Sequence, residues 1–201
     1  GAVEEKTQAL DAEAAAWKTR MDAAGDKFER AKAAAKLATL LKGRLSLEND
    51  RRVLGGGPLA STVDVSGAKS AAAKALAGLD VVVAASGEGI DEVETGIVAG
   101  LTAAGLSAKR GNPGDKGDLL IEAKSKSEAV EGGDARWKWS RASATVSLTD
   151  GREGKTFARF DVSDRQAAAA AGEARRRALG LLANKTAEKV SAAIADFFEN
   201  Q

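Results

Sequence analysis

Apolar positions recur at a heptad interval along the first 45 residues. Val3, Leu10, Trp17, Ala24, Ala31, Ala38 and Leu45 form one series, and Ala14, Met21, Phe28 and Ala35 form a second, offset by four. Such a seam predicts a long helix over residues 2–45, about 65 Å if straight at 1.5 Å per residue. Gly25 weakens it and Gly43 is the expected terminator. Two arrangements fit: the helix folds back on the domain, with a bend at Gly25, or it is a coiled-coil stalk that joins a second copy into a homodimer. Residues 46–65 read as a connector, and Gly55-Gly56-Gly57-Pro58 is the strongest breaker in the chain. The expected division is therefore 1–57, a long helix with its connector, and 58–201, a compact α/β domain. Ser66 is placed to cap a short Ala-rich helix running to about Leu79.

Beyond that point the period changes. Val81–Ala85 is a continuous apolar run, which suits a central strand covered on both faces. Ile90, Val93, Ile97, Leu101 and Ala104 then share one helical face, and Asp91, Glu92 and Glu94 sit in the first turns where the helix dipole favours negative charge. Ser107–Arg110 reads as a short strand. Leu119–Val130 alternates as a half-buried strand, Ala135–Thr149 is the next, and Lys155–Val162 the last, with turns at Gly132-Gly133 and Asp150-Gly151. Ser163 and Gln166 make a capping-box pattern that would open the closing helix, whose buried face is Leu179, Leu182, Thr186, Val190, Ala193, Ile194 and Phe197. The fold class that follows is α/β (α+β): a mixed, largely antiparallel sheet of four to five strands packed with helices, preceded by a long N-terminal helix.

Composition narrows the chemistry. Lys and Arg total 30 against 29 for Asp and Glu, so the formal charge of +1 supplies no field for nucleic acid. The chain has neither Cys nor His. It thus lacks a thiolate nucleophile, a disulfide, an imidazole base and the common zinc ligands. No catalytic residue, cofactor site or metal site is assigned. No apolar run reaches the roughly 20 residues needed to span a bilayer. Gly1 reads as a tag remnant and the chain opens inside a helical pattern, so a targeting segment is expected upstream.

Four local motifs stand out along the chain. Gly87-Glu88-Gly89 follows a strand and precedes a helix, as a dinucleotide fingerprint does, but Glu92 stands at the third glycine position and three acids would crowd a pyrophosphate. Glu88, Asp91 and Glu92 are the clustered acids that a carboxylate-based hydrolase would use, a remote alternative because a helix start favours their ionised form. Gly154-Lys155-Thr156 lacks the P-loop spacing and precedes a strand. Arg175-Arg176-Arg177 diverge by about 100° each around a helix, so they form no single docking face. Gly96 and Gly100, one helical turn apart, predict close approach of another backbone in the core.

Trp137 and Trp139 carry the binding expectation. Their parity is opposite to that of Ala142, Ala144, Val146 and Leu148. Either a bulge near Ser140 flips the strand, or the tryptophans lie on the second face of the sheet. There they are covered by the N-terminal helix or exposed. With Arg136, Lys138 and Arg141 nearby, they form a candidate partner-binding patch, since Trp and Arg are favoured interface anchors.

From about residue 80 to 199 the chain resembles bacterial envelope lipoprotein domains of the type found in the penicillin-binding-protein activator LpoB, the amino-terminal domain of TolB and the curli-secretion lipoprotein. The resemblance rests on element order and on Gly117–Ala123, Trp137–Ala142 leading into Val146–Asp150, Gly154-Lys155, Glu173-Ala174-Arg175 and Ala178-Leu179. It implies a periplasmic, outer-membrane-tethered binding or scaffolding domain, with the lipid-bearing cysteine upstream of this chain and another envelope protein as partner. The expected function is thus a non-enzymatic protein–protein interaction domain of the bacterial cell envelope. The alternative is a coiled-coil oligomerisation protein with a passive cap.

Overall fold

Asp26 decides where the first helical stretch breaks. Its side chain accepts hydrogen bonds from the backbone N–H groups of Phe28 and Glu29, both at 2.9 Å, and so caps a new helix immediately after Gly25. In a computed structural model, which describes residues 2–200, the predicted 2–45 helix is therefore two: α1, Ala2–Ala23, and α2, Lys27–Val53. Of the two arrangements open to the sequence, the chain bends at Gly25 and α2 folds back on α1. The seam residues Ala14, Met21, Phe28 and Ala31 are buried, whereas Val3 and Leu45 at its ends are exposed.

Two further boundaries differ from expectation. Gly43 does not end the helix: no neighbour lies near it, and α2 continues for ten more residues through Val53. The expected connector over 46–65 thus starts after Leu54. The next helix, α3, is Val65–Ala77, capped by the Asp64 carboxylate on the Gly67 N–H rather than by Ser66. Packing groups the chain into two compact units, Gly1–Leu79 with Phe198–Gln201, and Asp80–Phe197. In the first unit α2 packs against both α1 and α3.

The second unit begins with β1, Val81–Gly87, followed by α4, Ile90–Ala103, and β2, Ala108–Arg110. It continues with β3, Leu119–Val130, β4, Lys138–Asp150, β5, Lys155–Ala168, and α5, Ala171–Glu199. The five strands form one mixed sheet in the order β2-β1-β3-β4-β5. β1 is parallel to both neighbours, and the β3-β4-β5 meander is antiparallel. This is an α+β fold with a long N-terminal helix, as the pattern predicts.

Val81 to Ala84 are all buried, as a strand covered on both faces requires. Leu119 and Ile121 of β3, Val146 and Leu148 of β4, Val93, Ile97 and Leu101 of α4, and Leu182 and Ile194 of α5 fill the core. Gly96 and Gly100 do what their spacing predicts. A Cβ at either would lie 2.3 or 2.5 Å from the carbonyl oxygens of Ala183 and Ala187, so α4 touches the α5 backbone.

The last strand runs further than its apolar pattern. β5 pairs with β4 as far as Ala168 opposite Lys138, and α5 starts at Ala171. Ser163 and Gln166 are therefore strand residues, not a helix cap. The register shift in this hairpin lies between Leu148 and Thr149, not near Ser140. Ser140, Ala142, Ala144, Val146 and Leu148 are continuously buried, so Trp139 stands on the second face of the sheet.

Candidate functional site

The turn from β3 to β4 is folded by one carboxylate. Asp134 accepts from the Arg136 backbone N–H at 3.0 Å and from the Arg136 guanidinium at 2.7 Å, while its carbonyl accepts the Trp137 N–H at 3.1 Å. Ionisation of Asp134 is favoured by these bonds from the Arg136 guanidinium and N–H, and its pKa falls below the ordinary 3.8. The bonds hold Trp137 just ahead of β4, with 48% of its surface exposed.

Trp139, by contrast, is a half-buried platform. Gly132 packs directly against it: a Cβ there would sit 2.0 Å from the indole Cδ1 and Nε1. The guanidinium of Arg165 lies over the ring at 4.5 Å and is itself held by donation to the Glu131 carbonyl at 2.6 Å. The indole Nε1 is buried with no hydrogen-bond partner among the described residues. Across the strands, Arg141 is opposite both Glu128 and Arg165, and it approaches the Glu128 carboxylate at 3.9 Å.

The five predicted residues are thus gathered at one end of the meander but not on one face. Trp139 and Arg141 share the outer face, Trp137 and Arg136 lie in the turn, and Lys138, by strand alternation, points away from Trp139 and Arg141. Arg165 and Gly132 complete the patch and were not anticipated. Their contribution depends on β4–β5 register and on the path of a turn, which no local motif encodes.

The Gly87-Glu88-Gly89 segment has a structural explanation. Gly87 has φ +99° and lies against the Ser125 carbonyl, and Gly89, at φ +64°, lies against Leu179. Glu88 accepts from the hydroxyl and N–H of Ser127, and Arg175 reaches the same carboxylate at 3.4 Å. The Ser127 hydroxyl and N–H lower the Glu88 pKa below its ordinary 4.5; they outweigh desolvation, and the Arg175 charge adds to them. That direction is opposite to what a general acid needs. Arg175 and Arg177 diverge as expected: the first joins Glu88, the second pairs with Glu173 at 2.5 Å. Gly154-Lys155-Thr156 belongs to the β4–β5 hairpin, where the Thr149 and Thr156 hydroxyls meet at 3.1 Å.

Among the described residues no group of three or more metal-ligating side chains is present, and no helix is long and apolar enough to cross a membrane. No family model matches the chain, and no curated protein does. Several solved bacterial structures are similar to it. A protein of Xanthomonas campestris is 13% identical with a TM-score of 0.45, covering 61% of this chain and 88% of its own. A minor lipoprotein of Acinetobacter baumannii is 12% identical with a TM-score of 0.42, covering 59% and 93%. Rare lipoprotein B of Shewanella oneidensis is 13% identical with a TM-score of 0.37, covering 59% and 97%.

Proposed function

We propose that the chain is a non-enzymatic interaction domain of the bacterial cell envelope and that it contacts a partner protein through the end of the meander that carries Trp137. The observation behind this reading is the exposure of that side chain. Among the described residues Trp137 is the one aromatic in the exposed class, and it sits beside a platform of Trp139 and Arg165 with Arg141 next to it. An exposed tryptophan forgoes the burial that stabilises others, and Trp and Arg are both enriched among interface hot spots. Trp139 is packed between Gly132 and Arg165, which lowers the cost of ordering that part of the patch when a partner binds. Placement in the envelope, tethered upstream by lipid, rests on the resemblance carried by residues 80–199.

Trp137→Ala separates anchor from scaffold, because Trp137 is exposed while Trp139 is packed. An affinity capture from bacterial envelope extract compares the natural chain with Trp137→Ala and Arg141→Ala, with folding checked by circular dichroism. Loss of a true central anchor costs about 2 kcal/mol or more, roughly thirty-fold in affinity. Equal capture of the same partner by the folded Trp137→Ala chain sinks the assignment.

A further inference from the structure

β5 is the last strand in the sheet order, so among the described residues one side of its backbone has no neighbouring strand. It is 14 residues long and contains no proline, which makes it a long template for a second strand. Alternate residues of a strand direct their N–H and C=O groups to the same side. The carbonyls of Asp161, Ser163 and Ala167 are such alternates, and each accepts a hydrogen bond from a basic side chain of α5. Lys189 Nζ reaches Asp161 O at 3.1 Å, Lys185 Nζ reaches Ser163 O at 3.4 Å, and Arg177 Nη1 reaches Ala167 O at 3.4 Å.

The spacing of these contacts follows from the two geometries. Residues 177, 181, 185, 189, 193 and 197 form a single i, i+4 ridge on α5. Each step along it rises about 6 Å, and two residues of antiparallel strand advance about 6.8 Å. The helix therefore tracks β5 one ridge position per outward carbonyl, in antiparallel sense. Phe197, at the far end of the ridge, stacks on Phe157 at 3.9 Å, where the same register places it. Between Arg177 and Lys185 the ridge holds Leu181, 39% exposed, which has no donor for the Arg165 carbonyl. Lys185 is further anchored by the Asp164 carboxylate at 2.5 Å.

We propose that Arg177, Lys185 and Lys189 are an edge guard that holds this chain back from pairing through β5 with a second copy of itself. The second copy is the fitting occupant because the strand is complementary to itself. Two antiparallel β5 strands centred on Ser163 set Asp161 opposite Arg165 twice, on the exposed face, and bring outward groups to outward groups throughout. A lysine or arginine seated on the Asp161, Ser163 and Ala167 carbonyls removes hydrogen bonds that such pairing needs, which is how natural sheets blunt their edges.

The experiment compares weight-average mass against concentration, by light scattering, for four chains. These are the natural chain, Ser163→Pro, Arg177→Ala/Lys185→Ala/Lys189→Ala, and the triple variant with Ser163→Pro added. Ser163 presents its N–H outward, so proline there blocks an incoming strand without costing a β4–β5 bond. The expected result is a triple variant whose mass climbs with concentration above that of the natural chain, toward twice 20.6 kDa, and falls back to the natural curve when proline is added. A triple variant that matches the natural chain overturns the proposal. So does an excess mass that survives Ser163→Pro, or a natural chain that loses mass with Ser163→Pro alone. Should circular dichroism show that the triple variant fails to fold, Arg177→Ala/Lys189→Ala keeps the Lys185–Asp164 pair and is judged by the same criteria.

Discussion

Arg44 is the residue whose loss should damage the helical unit most. It lies on α2 with 4% of its surface exposed, and its Nε donates to Asp11 of α1 at 2.7 Å, where Asp11 is 1% exposed. The same guanidinium reaches Glu48 at 3.1 Å and the carbonyls of Leu59 and Ala60 at 3.5 Å, so one side chain ties α1, α2 and the connector together. Arg44→Ala would leave the Asp11 carboxylate buried, with the Ser61 hydroxyl and the Thr62 N–H as remaining donors, both long at 3.2 Å. Breaking one partner of a buried pair costs about 3–5 kcal/mol, because the stranded charge keeps its desolvation penalty. The Arg51–Glu4 pair, nearly as short at 2.8 Å, is part-exposed, so solvent screens it and its loss leaves no buried charge stranded. Native-state amide hydrogen exchange at α1 and α2 reads this unit apart from the sheet. Arg44→Ala should speed exchange of the best-protected amides there by on the order of a hundred- to several-thousand-fold, or unfold the hairpin outright. Arg51→Ala should change it by less than about ten-fold. Asp11→Leu/Arg44→Met, which removes both charges together, should recover most of the loss. A single Arg44→Ala effect no larger than that of Arg51→Ala would refute the argument that burial sets the cost.

Two further outcomes follow from packing and from charge. Gly96→Ala places a methyl 2.3 Å from the Ala183 carbonyl oxygen, a backbone atom that cannot swing aside, so it should destabilise the sheet unit by about 1–3 kcal/mol in urea unfolding, whereas Ala at Gly180, with open space around it, should not. For acid, burial opposes ionisation of Asp164 and Asp150. Lys185 and Gln166 outweigh it at the first, Arg152 at the second, and both pKa values fall below the ordinary 3.8. A depressed carboxylate contributes stability above its unfolded pKa and loses it as pH drops through the folded one. The urea midpoint should therefore hold from neutral pH to about 4 and fall below that. Asp164→Asn should lower the midpoint at pH 7 and flatten the acid slope; an unchanged slope would show that Asp164 is not the group responsible.

Where burial is two-sided or strictly alternating, the fold was legible. The run Val81–Ala84 and the alternation from Leu119 gave β1 and β3, and the helical face from Ile90 gave α4, because in each the core alone dictates the pattern. The misreadings share a different cause. Gly43 looks like a helix end, yet nothing lies within 4 Å of where its Cβ would be, so glycine there carries only its propensity cost and packing along the rest of α2 overrides it. The polar run Ser163, Asp164, Arg165 and Gln166 looks like a helix start. On this edge strand, however, β4 pairs with one side, basic side chains of the closing helix reach the carbonyls of the other, and Lys185 also meets the Asp164 carboxylate, so apolar alternation is not required.

The same distinction governs the candidate site. The parity of Trp139 against Ala142 and Ala144 was visible in the chain, and that parity alone offered two arrangements. Only the register of β4 on β5 chooses between them, and the irregularity that could have flipped the strand falls nine residues later, at Leu148/Thr149. With the strand unflipped, Trp139 must sit on the outer face, where burial has to come from neighbours on that face. Gly132 and Arg165 supply it, the one by lacking a side chain and the other by laying a planar cation across the ring. Trp137, two residues earlier and outside the strand, keeps 48% of its surface exposed. Two tryptophans that look equivalent in sequence are therefore unequal in energy: removing Trp139 deletes packing, while removing Trp137 deletes exposed surface. A binding defect from Trp137→Ala with an unchanged unfolding midpoint would assign that surface to a partner, and a lowered midpoint would assign it to the fold.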